Sequence, residues 1–470
     1  MLTEHAAWAV EEFGSAELGD DRRTRRLVAL AAEVVSSPAG TVTAACRTSA
    51  SREGAFRFVE NRAVGAPNVI AAMGRASARR CTEALAIVPV DATSLHLTDE
   101  TGRRGLGSVG SVKQGARGLH VMSSLVLAPS GRPLGLTSQS YWVREKRSRR
   151  PEKSLSQDIE NRETRFWLRA LEQAKAVLAQ EAPHCVPWFQ LDRGADCGPV
   201  LVDAIDNRRL LTVRATHDRH LLSPHQRLVA TVEATPVITT VRLSVSAKSR
   251  VRKRRRQGKR VLHWVARRQA RVAKLSMQAA TVPLRVGRRT LSFHVVLVRE
   301  KGRPKDDRIE WLLLTTHPIG SRRDVLKVVQ AYSFRWRIEE FHRAWKRGLC
   351  RVEDTQLRSR DAVIKWATIL AAVAARALRL TYLARDKPDT PAYDEFTKRE
   401  LQAIVLLREP KGIALDQIST LTLAQVIRWL ADLGGYTGPW NGPPGPTVVA
   451  RGLRYVLPAA KILRKTPKLR

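Results

Sequence analysis

The chain has 470 residues, 43% of them hydrophobic, enough for two or three globular domains and a large core and too many for a disordered polymer. Its 82 Lys and Arg against 44 Asp and Glu leave a net charge of +38, and self-repulsion on that scale is relieved by a polyanion, so nucleic acid is the expected partner. The excess is spread along the chain instead of lying on one amphipathic helix, which argues against a membrane surface, and Cys46, Cys81, Cys185, Cys197 and Cys350 are too far apart for a disulfide framework or a zinc ribbon.

Glu4, Glu11 and Glu12 and the lack of a long apolar run read against a signal peptide, and with the scattered thiols they lead to the expectation of a cytoplasmic, reduced protein. Residues 1–68 read as helical. Asp20 or Asp21 can cap a helix whose first turn carries Arg22, Arg23, Arg25 and Arg26. Cations there oppose the helix dipole, which makes sense where a phosphate backbone lies close by. A second helix is expected around residues 54–59, with Arg57 on it.

Strand signals follow. The apolar run at 84–90 is expected to end at Asp91, and residues 119–127 and 134–143 read as two more strands about the turn Pro129-Ser130-Gly131. A helix is expected over about 155–180, a short strand over 187–191 ending at Asp192, a helix over about 198–205 and a strand over 210–215. Between about 220 and 310, β-branched runs at 229–245 and 282–298 flank a segment with 13 basic residues in 27, from Lys248 to Lys274, and no acid. This reads as a β-rich insertion carrying a basic loop. Trp311-Leu312-Leu313-Leu314 returns the chain to the core, and the apolar window 366–375 is too short to span a bilayer and reads as a core helix. The remainder, 384–470, reads as helical with a Gly/Pro-rich break at 434–446.

The most informative stretch is Tyr332-Ser333-Phe334-Arg335-Trp336-Arg337-Ile338-Glu339-Glu340-Phe341-His342-Arg343-Ala344-Trp345-Lys346. Treated as one helix with Tyr332 at zero, Arg335 falls near about −60°, Glu339 near −20° and Lys346 near −40°. A phenol, a guanidinium, a carboxylate and an ammonium thus share one stripe about 20 Å long, as for a metal ligand beside a bound polynucleotide. Glu340 lies off the stripe, which favours Glu339. Asp91, Asp192 and Glu339, at two strand ends and on a helix, can converge, and such acids bind Mg²⁺ with places left for water and phosphate. Two such ions would clamp the attacking and leaving oxygens of a phosphodiester, as in a ribonuclease-H-like nucleotidyl-transfer core. Asp91 could instead cap a turn before Thr93-Ser94, and Asp192 could pair with Arg193. Asp99 and Asp196 are further acids nearby in sequence. His217, His220 and His225 lack a fourth ligand and read as solvated loop residues. Trp311 and Trp336 could offer a stacking surface to an extruded base.

Tyr332-x2-Arg335-x3-Glu339-x6-Lys346 resembles the YREK signature of bacterial DDE insertion-sequence transposases, with the wording RWRIEEFHRAWK similar to the IS-Four, Tn-Five-like branch. Leu18-Gly19-Asp20-x-Arg22-Arg23-Thr24 and Glu53-Gly54-Ala55-Phe56-Arg57-Phe58 resemble its end-binding domain. Asp91-x-Thr93-Ser94-Leu95, Leu191-Asp192-Arg193-x-Ala195-Asp196 and Trp311-Leu312-Leu313-Leu314-Thr315 resemble its catalytic core, and Leu433-Gly434-Gly435-Tyr436 its C-terminal region. The resemblance implies an α-helical end-binding domain over 1–68, a ribonuclease-H-like α/β core over 69–383 (a mixed sheet flanked by helices, with a β-rich insertion at about 220–310) and a helical dimerisation domain over 384–470. It implies Asp91, Asp192 and Glu339 as ligands of two Mg²⁺ ions, with Mn²⁺ able to substitute. Tyr332, Arg335, Lys346, Trp311, Trp336, Arg193, Arg22, Arg23, Arg25, Arg26 and Arg57 are implied as DNA contacts. It further implies cut-and-paste transposition of an insertion sequence through a DNA hairpin, on double-stranded inverted-repeat ends and target DNA, by a homodimer in a synaptic complex. One departure is Leu119-His120, where resembling enzymes can carry an aromatic pair. A metal-dependent nuclease without strand transfer and a non-catalytic transposase-derived DNA-binding protein are the alternatives.

Overall fold

The computed structural model describes residues 5–99, 102–110, 115–144, 162–222, 225–245, 248–256, 259–304, 307–408, 415–439 and 442–465. Contacts divide the chain into two compact units, Met1–Phe189 with Phe334–Arg470, and Gln190–Ser333.

The first unit begins with helices α1 (Ala6–Phe13), α2 (Asp21–Ser36), α3 (Val42–Ala45), α4 (Ser49–Glu60) and α5 (Ala66–Arg79). Short polar side chains start three of them: Asp20, Thr41 and Thr48 each accept a backbone N–H of the first turn. Strands β1 (Leu85–Leu97), β2 (Gly107–Ser108), β3 (Arg117–Leu127) and β4 (Pro133–Trp142) follow, then α6 (Thr164–Glu181) and β5 (Val186–Leu191), within which the chain passes into the second unit. The strands of the first unit are ordered β2-β3-β1-β5, with β4 paired to β3. The expected helix at about 155–180 is described from Thr164 onward, and its expected first part lies outside the described residues.

Contrary to expectation, β1 does not end at Asp91. Its antiparallel register with β3 runs on through Asp91↔Ser123, Thr93↔Val121 and Leu97↔Arg117. Asp-Ala-Thr-Ser has turn-forming composition, but β3 supplies a hydrogen-bonding partner at each step and burial of Leu95 and Leu97 holds the extension.

The second unit contains α7 (Gly198–Asp206), β6 (Leu210–Arg214), α8 (Leu228–Glu233), β7 (Thr239–Val245), β8 (Lys248–Arg256), β9 (Lys259–Arg268), β10 (Arg271–Val286), β11 (Arg289–Glu300), β12 (Glu310–Thr315) and α9 (Arg322–Ser333). Its sheet is ordered β6-β12-β11-β10-β7. Two corrections arise here. The run read as a strand from residue 229 opens with the short helix α8, and most of the segment read as a basic loop is the antiparallel pair β8–β9. The strand-favouring residues Val251, Val261, Trp264 and Val265 suit a ladder, and the backbone hydrogen bonds form whatever the charge of the side chains.

The chain re-enters the first unit with α10 (Trp336–Lys346), α11 (Arg360–Asp386), α12 (Lys398–Arg408), α13 (Leu423–Leu433) and α14 (Pro446–Lys465). Helix α11 is the spine of this unit. Trp366, Ile369, Leu370 and Leu378 on it are wholly buried, each such side chain contributing roughly 2 kcal/mol by leaving water. Lys365, also wholly buried, donates to Asn61 O at 2.8 Å and Val59 O at 3.1 Å and pairs with Asp361 at 2.5 Å. The end of α4 is thereby tied to α11. Trp366 Nε1 donates to Gly40 O at 2.6 Å, a second tie to the N-terminal helices.

Candidate active site

Strand β1 and helix α10 build the site in the first unit. The expected single helix over 332–346 is two: α9 ends at Ser333, residues 334 and 335 form a turn, and α10 begins at Trp336. Neither Gly nor Pro marks the break. What holds it is tertiary: the Phe334 ring lies against Gly131 of the β3–β4 turn, where a Cβ would sit 2.6 Å from the ring and φ is +84°. Only glycine combines that backbone with that approach. Arg335, Glu339 and Lys346 are therefore on or at the start of α10, whereas Tyr332 belongs to α9 and the second unit.

Arg335 stands between two acids. Its Nη1 is 3.4 Å from Asp91 Oδ2 and its Nη2 is 2.5 Å from Glu339 Oε1. One turn of α10 separates Arg335 from Glu339, so both point at the same position on β1. Seven residues on, the Lys346 ammonium donates to Ser94 O at 2.5 Å and Thr93 Oγ1 at 3.3 Å. From Glu339 to Lys346 the helix rises about 10 Å and from Asp91 to Ser94 the strand rises about 10 Å, so the pairs stay in step. The Asp91, Arg335 and Glu339 side chains are 16%, 14% and 31% exposed. They are open enough to meet a ligand and shielded enough for charge to matter.

The neighbouring acid is used differently. Glu340 Oε2 accepts from Tyr382 Oη at 2.7 Å and lies 3.5 Å from Arg337, whose guanidinium covers the Tyr382 ring at 3.9 Å. Burial, with the Glu340 charge second, pushes the Tyr382 phenol up. Glu339, and not Glu340, shares a guanidinium with Asp91. His342, on the same helix, is buried with Nε2 lacking any hydrogen-bond partner. Burial, then the charges of Lys346 and Arg335, push its pKa down to about 3, so it is a neutral packing group.

His120, the departure noted in the sequence, supports β1 from β3. Its Nε2 is 3.2 Å from Ser108 O, an acceptor only, so Nε2 carries the hydrogen and the Ser94 hydroxyl donates to Nδ1 at 3.2 Å. Its ring stacks on Trp142 at 5.4 Å, and burial, with Arg144 second, lowers its pKa. The residue whose carbonyl holds Lys346 is thus itself held by His120. Sequence reading missed Thr93, Ser94 and His120 in this role, because their relation to Lys346 exists only once β1 continues past Asp91.

In the second unit, β5 ends at Leu191 and Asp192 caps the short 3₁₀ turn Arg193–Ala195, its Oδ1 accepting from Gly194 N at 2.7 Å. Arg193 is exposed and is not its partner. Asp196 is committed to Arg219 at 2.5 Å and to Thr216 N at 2.6 Å, as Asp99 in the first unit is to Arg117 at 3.2 Å. Trp311, half-buried on β12, meets the buried Tyr332 edge-on with centroids 5.5 Å apart. Trp336, 45% exposed at the start of α10, presents the more accessible ring.

Among the N-terminal arginines, Arg23 donates to Leu18 O at 2.8 Å and Arg26 lies against Gly54 with Ser51 O at 3.4 Å. Arg22, Arg25 and Arg57 are exposed, the last beside Glu53.

Asp91 and Glu339 fit a hard divalent cation: they are carboxylate oxygens held close enough for one guanidinium to touch both. Among the described residues, no group of three or more His, Cys, Asp or Glu side chains is gathered in a metal-binding arrangement, and no helix is long and apolar enough to cross a membrane.

Comparison with known families identifies two regions. Residues 5–64 match the transposase DNA-binding model and residues 170–375 match the transposase DDE domain model. The second match includes Asp192, Arg335, Glu339 and Lys346, and Asp91 precedes it. The chain therefore carries a transposase DNA-binding domain and a DDE transposase domain, and its helix-flanked sheet is compatible with a ribonuclease-H-like core.

Proposed function

We propose that this DDE transposase domain acts in cut-and-paste transposition of an insertion sequence, by divalent-metal-dependent hydrolysis at the element ends followed by strand transfer into target DNA. The observation that carries the reading is the bridge of Arg335 between Asp91 and Glu339 on β1 and α10, with Lys346 alongside. Asp91, Asp192 and Glu339 are the proposed metal-holding acids, with two Mg²⁺ the proposed loading and Mn²⁺ a substitute. A bound divalent pair would polarise the scissile phosphate and supply hydroxide as nucleophile.

The chain's own residues do the rest. Arg335 neutralises two carboxylates that would repel DNA, and its planar fork suits a phosphate once those acids find another cation. Lys346 offers a point charge to the adjacent phosphate. Trp336, with Trp311 as second candidate, is the proposed platform for a base extruded as the cleaved end bends into a hairpin, stacking that offsets a few kcal/mol of unpairing. Residues 1–68 are the proposed element-end reader and 384–470 the proposed dimerisation region of a synaptic homodimer.

The test is a cleavage assay on plasmid carrying the DNA that flanks the gene, with Mg²⁺ or Mn²⁺. Nicks and double-strand breaks at short inverted repeats, followed by joining to a second DNA, support the reading. Cleavage without joining would leave a nuclease instead.

A further inference from the structure

Lys346 has three donors, and each meets an acceptor of the protein itself. Two go to β1, at Ser94 O and Thr93 Oγ1, and the third faces Glu353 Oε1 at 3.4 Å. The first two partners are neutral and built into the strand. Glu353 alone is an anion, and at 3.4 Å it makes an ion pair without a tight hydrogen bond.

The Glu353 carboxylate is held in place from other directions. It sits in the 3₁₀ turn Val352–Asp354, is only 12% exposed, and Oε1 accepts from His96 N at 2.9 Å. Arg347 approaches Oε2 at 3.4 Å but is 80% exposed and holds it weakly. Arg351, just before the turn, has φ +51°, and its carbonyl abuts Gly40 so closely that a Cβ there would lie 2.0 Å away. A left-handed non-glycine residue held by a close backbone approach anchors the start of the turn that carries Glu353, and the His96 amide holds its carboxylate. The chain therefore maintains, at some conformational cost, an acid against the lysine proposed to hold DNA phosphate.

Resting on that reading of Lys346, we infer that Glu353 is a competing counter-ion. Its carboxylate occupies the Lys346 ammonium when DNA is absent and repels the phosphate that takes its place, so it limits how tightly this position grips DNA. In a chain of charge +38, a local brake of this kind favours release of the DNA over tighter capture.

The experiment measures binding of the full-length protein to a fluorescein-labelled duplex of arbitrary sequence, by anisotropy in EDTA over a series of KCl concentrations. Glu353→Gln, which keeps an acceptor for the His96 amide, should bind several-fold more tightly. The slope of log K against log [KCl] should steepen by about 0.9, the signature of one more neutralised phosphate. Adding Lys346→Met should erase the gain. Asp354→Asn removes a neighbouring acid that pairs with Arg351 instead, and its effect should survive Lys346→Met. If the Gln variant does not fold, Glu353→Met, uncharged and of similar length, repeats the comparison. Unchanged or weaker binding by Glu353→Gln while Lys346→Met alone weakens binding would overturn the competition and leave Lys346 as a phosphate contact. A gain that persists with Lys346→Met would overturn it as well. If Lys346→Met changes nothing in either background, the phosphate reading falls and this inference with it.

Discussion

At the residue scale, the site is decided by which of two adjacent glutamates faces β1. Glu339 shares Arg335 with Asp91, whereas Glu340 is consumed by Tyr382 and Arg337. Glu339→Gln should therefore abolish DNA cleavage while leaving DNA binding unchanged or tighter, because a proposed metal ligand and a negative charge are lost together. Glu340→Gln should still cleave but melt earlier, with a loss of about 1 kcal/mol from weakened charge-assisted hydrogen bonds. Plasmid nicking and thermal unfolding of the two variants separate these outcomes, and a dead Glu340 variant beside an active Glu339 variant would reverse the assignment. The two tryptophans divide in the same way. Trp336 is 45% exposed and Trp311 packs on Tyr332, so Trp336→Ala should leave the melting temperature nearly unchanged. A time course on labelled element ends should then show normal first nicking and slow hairpin formation. Trp311→Ala should lower stability by roughly 2 kcal/mol through lost packing, and equal slowing of every step would mark it as a core residue only.

At the element scale, helix α10 is both the carrier of the site and a buried packing element. His342 is the pH-sensitive part of it. Its folded pKa, about 3, lies below the ordinary 6.5, so between those values the unfolded chain binds a proton that the folded chain does not. This residue therefore costs stability as pH falls through that window, by up to about 1.4 kcal/mol per pH unit. Denaturant titrations at neutral and mildly acidic pH should show a smaller acid loss in His342→Leu than in the parent; equal losses would mean that His342 protonates freely in the folded state. The tie between α4 and α11 is a second measurable element. Lys365→Met should destabilise by roughly 2 kcal/mol, because it strands the carbonyls of Val59 and Asn61. Much of this architecture was legible in the chain. The apolar window 366–375 announced α11, and a strand ahead of Asp192 was readable from Trp188-Phe189-Gln190-Leu191. What escaped reading was set by distant partners. The extension of β1 past Asp91 depends on β3, the break before α10 depends on Phe334 meeting Gly131, and the β8–β9 pairing prevailed over its charge. The spacing of Arg335, Glu339 and Lys346 survived the break because Arg335, the N-cap of α10, already has helical backbone angles and so keeps the frame of that helix, whereas Tyr332 lies on α9.

At the scale of the whole molecule, a charge of +38 favours sequence-independent DNA binding, so affinity alone says little about the proposed function. Sequence preference and chemistry say more. Deleting residues 1–68 would remove the partners of Lys365 and Trp366, so substitution of exposed Arg22, Arg25 and Arg57 by Gln is the cleaner probe of end recognition. The triple variant should lose preference for its own element ends, with a salt slope lower by up to about 0.9 per phosphate contact, while retaining sequence-independent binding. The most direct measurement is cleavage and joining by the purified protein, with Mg²⁺, on supercoiled DNA carrying the sequences that flank its gene, beside Asp91→Ala and Glu339→Ala proteins shown to fold and to bind DNA. The account predicts breaks at the element ends and strand-transfer products from the parent, and neither from either variant. Cleavage that persists without Asp91 or Glu339 would contradict it.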